Sequence, residues 1–439
     1  MKLKVLLINP WIYDFAAVNM WARPLGLLKV AEFLSAWDVE LALVDCMDAG
    51  VTKRYGCGNY PKEVVGKPPC LKAVPRKFGR YGISPEEFTG TILSHGRPDL
   101  VLVTSVMSYW YPGVQRAIEI VRESYGGVPV ILGGIYASLW SRHAVETSGA
   151  DGVYKGAVGD ELRFFLQTFG FRIRRKREKK PYYSMGLCDH HEFAPLLTTE
   201  GCPYNCAYCA SSLLSPDFSR RKAGEVVSEI MDLYNVGIRD FAFYDDALLV
   251  SADDHLKVIL KEVVGRNLDV RFHCPNGLHA RFIDDELARL MKLSGFRTLR
   301  LSLETVDRGR QALTGGKVTS RELEKAVALL RRHKFTKEET GVYLMYGLPG
   351  QELREVREGV SFLKSLGVKI FLTELSPIPG TRCWDELVSQ GIITEPIDPL
   401  LTNNTVFCSL FSGYDLEELE SLKLDVKGYN LEAGTGASR

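Results

Sequence analysis

Glu200-Gly201-Cys202-Pro203-Tyr204-Asn205-Cys206-Ala207-Tyr208-Cys209 holds three cysteines in one short run, a four-residue step followed by a three-residue step. A 4Fe–4S cluster normally takes four thiolates, so a lone trio leaves one iron without a protein ligand and open to chemistry. Three buried thiols or half of a zinc site are the other readings. Zinc calls for a second Cys or His pair at short spacing, and His190 and His191 do not form one of the usual spacings. The run therefore points to an iron–sulfur cluster on Cys202, Cys206 and Cys209.

The cysteine run sits at the start of a repeating strand–helix pattern. Strands are expected at Leu196 to Thr199, Ile238 to Tyr244, Asp269 to Cys274, Thr298 to Leu303, Val342 to Tyr346 and Val368 to Leu375. Helices fall between them, as at Lys222 to Val236 (Val226, Ile230 and Leu233 on one face) and Ser320 to His333 (Leu323, Val327 and Leu330). Six such units are too few for a closed TIM barrel. The expectation is a partial (β/α)6 TIM-like barrel, open at the side to a large substrate. After Val388 the sequence reads as loop up to Ser412, then one short helix (Asp415 to Leu422) and a tail.

Upstream, strands are expected at Val5 to Asn9, Glu40 to Asp45, Asp99 to Ser105 and Val128 to Leu132, with helices from Pro24-Leu25-Gly26 and over Pro112 to Ser124. A last helix–strand pair runs through Ala144 to Tyr154. This alternation predicts an α/β fold with a doubly wound, Rossmann-like parallel sheet that binds ligands beyond its strand C-termini. Asp48 to Pro98, rich in Gly, Pro and basic residues, reads as a long loop of functional or lid type. Gly133-Gly134 permits a tight turn or the close approach of a nucleotide tail, but a full GxGxxG is absent. Arg172-Ile173-Arg174-Arg175-Lys176-Arg177-Glu178-Lys179-Lys180 reads as a solvated linker, because no aromatic residues interleave it. The expected division is 1–170 for the front domain, 171–190 for the basic linker, 191–395 for the barrel and 396–439 for a C-terminal extension.

The chain has 439 residues, 46% hydrophobic and 25% charged, with a formal net charge of +1. That supports two large cores and gives no electrostatic case for a nucleic-acid or membrane partner. No apolar run approaches membrane-spanning length, and Met1 to Pro10 is too short in apolar residues for a signal peptide. Irregularly spaced cysteines and an oxygen-sensitive cluster motif point to a reducing cytoplasm.

The cysteine run, with Tyr208 before its last Cys, resembles the radical S-adenosylmethionine (SAM) enzymes, whose hallmark is CxxxCxxC. The resemblance implies that SAM's amino and carboxylate groups occupy the open iron. It further implies that SAM is cleaved to a 5′-deoxyadenosyl radical, and that an external electron donor such as flavodoxin or ferredoxin serves the cluster. Asn9-Pro10, Pro24-Leu25-Gly26, Ser105-Val106-Met107, Gly133-Gly134 and Asp160-Glu161 resemble the cobalamin-binding domain often fused before such barrels. The Asp-x-His-x-x-Gly signature that supplies a cobalt ligand in many cobalamin proteins is absent. Any corrinoid is therefore expected without a histidine ligand, in a crevice lined by Ser105 to Tyr111; alternatively the aromatics Tyr109, Trp110 and Tyr111 form a hydrophobic lid over the barrel mouth.

In βα barrels the working groups stand at strand C-terminal ends. The family resemblance assigns Tyr244, Asp245 and Asp246 to the SAM amino group, in place of the usual Gly-Gly-Glu; alternatively Asp246 only caps the next element. Asn276, in His273-Cys274-Pro275-Asn276-Gly277, matches the segment of methyltransferase-related subfamilies, while Cys274 is either a hydrogen donor or a buried structural thiol. Ser302 and Glu304 lie two apart on one strand and share a face; the family uses such a pair on the SAM ribose. Gly347, Leu348 and Pro349 are assigned to the adenine, and Pro377 to Thr381 is also close to family form. Three outcomes remain open: a cobalamin-dependent radical methyltransferase, a cobalamin-free radical SAM enzyme such as a methylthiotransferase, and a non-catalytic iron–sulfur sensor or carrier. A second cluster on Cys46, Cys57 and Cys70 would suit the methylthiotransferase, but their contexts do not match that family. The substrate, a small molecule or peptide, is not legible.

Overall fold

The computed structural model describes residues 2–48, 51–52, 54–172, 183–188 and 190–432. Most of the basic run and the extreme C-terminal tail lie outside these residues. The chain divides into two compact units, Met1–Glu192 with Asp398–Leu401, and Phe193–Ile397 with Thr402–Arg439.

The first unit is built on five parallel strands, β1 (Leu3–Asn9), β2 (Val39–Asp45), β3 (Leu100–Val103), β4 (Val130–Leu132) and β5 (Gly152–Val153), in the order β5-β4-β3-β1-β2. This is the flavodoxin-like doubly wound order, with its switch point between β1 and β3. Apolar residues run continuously along β1 because both of its faces are covered. Val5 and Leu7 pack with Leu27, Ala31 and Leu34 of helix Leu25–Leu34 and with Leu162 and Leu166 of helix Asp160–Thr168. The expected loop from Asp48 to Pro98 is instead structured. It contains helix Pro85–Ser94, N-capped by the Ser84 hydroxyl on the Glu87 N–H, and strands Lys62–Val64 and Gly79–Tyr81, which pair antiparallel.

The second unit carries β6 (Ala194–Leu196), β7 (Asp240–Phe243), β8 (Arg271–His273), β9 (Phe296–Leu303), β10 (Thr340–Tyr346) and β11 (Lys369–Glu374), all parallel and in sequential order. On β9, Leu299, Leu301 and Leu303 are buried on one face, while Thr298, Ser302 and Glu304 point to the other. Two expectations on the C-terminal side need correcting. Asn404–Phe411 is a helix, capped by the Asn403 side chain on the Val406 N–H, and the last helix runs over Leu416–Glu432 rather than stopping near Leu422.

Candidate active site

The cysteine loop is rooted at β6. Thr199–Glu200 pairs antiparallel with Ser219–Arg220, closing the loop at its base. Gly201 has φ +73°, and a Cβ there would stand 2.5 Å from the Asp217 carbonyl oxygen, so only glycine fits the turn. The loop is gripped from two sides. The Ala207 N–H donates to the Thr314 carbonyl at 3.0 Å, and the Ala207 carbonyl accepts from the Cys383 N–H at 2.8 Å. Arg382 donates to the Asn205 carbonyl at 2.7 Å. Cys206 is buried and Cys202 and Cys209 are half-buried. Burial pushes the Cys206 thiol up to about 11 and raises that of Cys202.

The donor set, three thiols on one braced loop, is the chemistry a cluster takes. A mononuclear site needs its ligands to converge on one point, whereas a cluster binds each thiolate to a different iron. Three free thiols fixed on one braced loop suit the second arrangement.

Glu304, 5% exposed on a barrel-interior position, accepts a 2.6 Å hydrogen bond from the Tyr208 hydroxyl. Burial and the Glu304 charge hold the Tyr208 pKa well above its ordinary value, so the phenol keeps its proton and donates. This bond joins the residue before the last cysteine to the end of β9. The Asn276 amide donates to the Tyr244 carbonyl at 3.1 Å, linking the ends of β7 and β8. Ser302 accepts from Lys317 Nζ at 3.1 Å. Asp246 is exposed, and its charge raises the Cys202 pKa.

Asp245 has a different position from its neighbour. It is 3% exposed, and its Oδ1 accepts four bonds: from the Thr198 N–H (3.0 Å), Thr198 hydroxyl (2.6 Å), Thr199 N–H (2.6 Å) and Thr199 hydroxyl (2.8 Å). It thus fastens the end of β6, where the cysteine loop begins, to β7. The expected acidic pair separates into a buried brace and an exposed carboxylate. Cys274 is 1% exposed with its pKa held well above normal by burial, the environment of a structural thiol.

Gly347 has φ +86°, and its N–H donates to the Tyr414 hydroxyl at 3.2 Å. The Leu348 N–H donates to Gln351 Oε1 at 3.3 Å, and the Pro349 carbonyl accepts from Arg310 at 2.6 Å. The Gly-Leu-Pro turn is thereby held from both sides. Lys317 is the residue that sequence reasoning missed. Its signal was available in Thr314-Gly315-Gly316-Lys317, two glycines and a cation soon after a barrel strand.

In the first unit, Tyr109 and Tyr111 are buried instead of lining an open crevice. Tyr111 stacks on Tyr136 at 5.7 Å, and Trp110 donates to Asp14 at 2.7 Å. Val106, 40% exposed, remains at the surface beyond β3. Gly134 has φ +89°, and a Cβ on it would meet the Ser105 carbonyl oxygen at 2.5 Å, so backbone meets backbone at the β3 and β4 ends.

Residues 196–363 match the sequence profile of the Radical SAM superfamily. An uncharacterized methyltransferase of Pyrococcus horikoshii is 25% identical over 207 residues, 46% of this chain and 43% of that protein. The match thus spans less than half of that relative's length. The radical SAM methyltransferase TsrM from Kitasatospora setae, solved with cobalamin and a 4Fe–4S cluster, superposes with TM-score 0.64 at 19% identity, over 90% of this chain and 76% of that one. The cobalamin-dependent SAM radical enzyme OxsB, solved with aqua-cobalamin and SAM, gives TM-score 0.55 at 12% identity, over 89% of this chain and 56% of that one. Both likenesses are of fold. Residues 196–363 thus match the Radical SAM superfamily, and the chain as a whole shares the fold of these two structures.

Proposed function

We propose that this chain is a cobalamin-dependent radical SAM methyltransferase, with a 4Fe–4S cluster on Cys202, Cys206 and Cys209, SAM at the barrel mouth and cobalamin on the first unit. The observation that carries the reading is the braced cysteine loop joined through Tyr208 to Glu304. When bound, the cluster supplies the electron that cleaves SAM, and cobalamin supplies a carrier for the methyl group. The chain's own groups supply placement. Asp246 offers a carboxylate to an ammonium, and Glu304, oriented by Tyr208, offers an acceptor to ribose hydroxyls. Gly347 to Pro349 present a fixed backbone turn to the adenine. An external flavodoxin or ferredoxin delivers the electron, and a small molecule or peptide receives the methyl group. A cytoplasmic setting accords with the oxygen-sensitive cluster motif. Among the described residues no helix is long and apolar enough to cross a membrane.

The test is anaerobic reconstitution with iron, sulfide and hydroxocobalamin, followed by absorption spectra, metal analysis and assay of SAM consumption. The wild type is expected to carry cluster and corrinoid together. Changing Cys202, Cys206 and Cys209 to Ala should remove iron, sulfide and SAM turnover. Full iron and sulfide in that triple variant would overturn the assignment.

A further inference from the structure

Lys317 has a built position beside the cysteine loop that the reading above does not use. After β9 the chain forms helix Arg308–Leu313, and the loop that follows turns at Gly315 (φ +119°) and Gly316 (φ +60°). A Cβ on Gly315 would lie 2.9 Å from the Cys206 Cα, so this loop rests directly on the cysteine loop, as the Thr314–Ala207 backbone bond also requires. Arg281 donates to the Gly316 carbonyl and fixes the turn from the other side. The next residue, Lys317, is then held by Ser302 Oγ at 3.1 Å and the Gly277 carbonyl at 3.4 Å. Gly277 leaves the space this needs, since a Cβ there would fall 1.9 Å from Ser302 Oγ.

We propose that the Lys317 ammonium, placed by the Gly315-Gly316 turn, sets the reduction potential of the cluster on Cys202, Cys206 and Cys209. The inference rests on that cluster assignment. A fixed cation favours the reduced cluster, which carries one more negative charge, and cluster potentials respond to local charge. Glu304, hydrogen-bonded to Tyr208 beside Cys209, carries the opposite charge. The step affected is the addition of one electron from the external donor to the cluster; no bond is made or broken in it.

The experiment is a potentiometric titration of the reconstituted full chain without SAM, followed by electron paramagnetic resonance. Lys317→Met should move the midpoint to a more negative potential, while Lys317→Arg, which keeps the charge, should stay with the wild type. A Lys317→Met protein with full iron and sulfide and an unmoved midpoint overturns the proposal. Where Lys317→Met takes up no cluster, Lys317→Gln, which keeps a donor for Ser302 and Gly277 without the charge, decides on the same readout. A wild type that takes up no cluster overturns the functional reading itself and is told apart by metal analysis.

Discussion

Asp245 shows how one side chain's environment sets its work. Four donors converge on Oδ1, while the buried Oδ2 has no hydrogen-bond partner. Burial outweighs those four bonds and raises the carboxyl from the ordinary 3.8 to about 6. Because the folded value lies above the unfolded one, the folded protein holds the extra proton between them. The associated stability is whole below about pH 4 and is lost as pH rises through about pH 6, a swing of roughly 2–3 kcal/mol. Asp245→Asn cannot titrate, so its thermal midpoint relative to the wild type should rise between pH 4 and pH 7. A constant offset at both pH values would show that Asp245 ionises normally in the folded state. The sequence marked Asp245 and Asp246 as one acidic pair at a strand end. It could not separate them, because which carboxylate turns inward depends on Thr198 and Thr199 across the neighbouring strand. Ser302 and Glu304 were easier: alternation along a strand places both on one face without knowledge of partners.

At the scale of elements, the barrel strands were legible because each is a short apolar run between helical repeats. Of the C-terminal helices only the start of the last was legible, because their role is to cover an edge. β11 ends the sheet and would present unpaired backbone groups. Asn430, on the last helix, meets that edge with both ends of its amide: the Ile370 N–H donates to Asn430 Oδ1 at 3.0 Å, and Asn430 Nδ2 donates to the Ile370 carbonyl at 2.8 Å. Lys364 and Asp425 add an ion pair at 2.7 Å, and Lys423 reaches Glu374 at 2.9 Å. No periodicity in Leu416 to Glu432 announces such a contact. Only Leu419, Leu422 and Val426 are buried, so the helix is anchored by polar matches as much as by apolar area. Asn430→Leu strips the edge of its partner and should cost about 1–3 kcal/mol in chemical denaturation. Limited proteolysis should then cut the last helix sooner than in the wild type. An unchanged denaturation midpoint and cleavage pattern would mean that water replaces the amide without loss.

At the scale of the whole molecule, the order of two α/β units was legible from the alternation of strands and helices, whereas the return of a short later segment to the first unit was not. The expected cut at 395 falls close to the point where the chain leaves the second unit, but Asp398–Leu401 then belongs with the first. Asp398 accepts from the Tyr111 hydroxyl at 3.2 Å, a partner 287 residues earlier that no local pattern could supply. Division into two units also predicts that the two proposed cofactor sites fail separately. Gly134 lies at the ligand edge of the doubly wound sheet, beside the switch point between β1 and β3. Its φ of +89° and the 2.5 Å approach that a Cβ would make to the Ser105 carbonyl oxygen mean that Gly134→Ala must push the β3 and β4 ends apart. A displaced edge that costs binding about 1–3 kcal/mol corresponds to roughly a five- to 150-fold loss of corrinoid affinity. Titration of the reconstituted full chain with hydroxocobalamin should show this loss while iron and sulfide content stays at the wild-type level. Retained corrinoid affinity would place cobalamin away from this edge, and joint loss of corrinoid and cluster would show that the two units do not hold their sites independently.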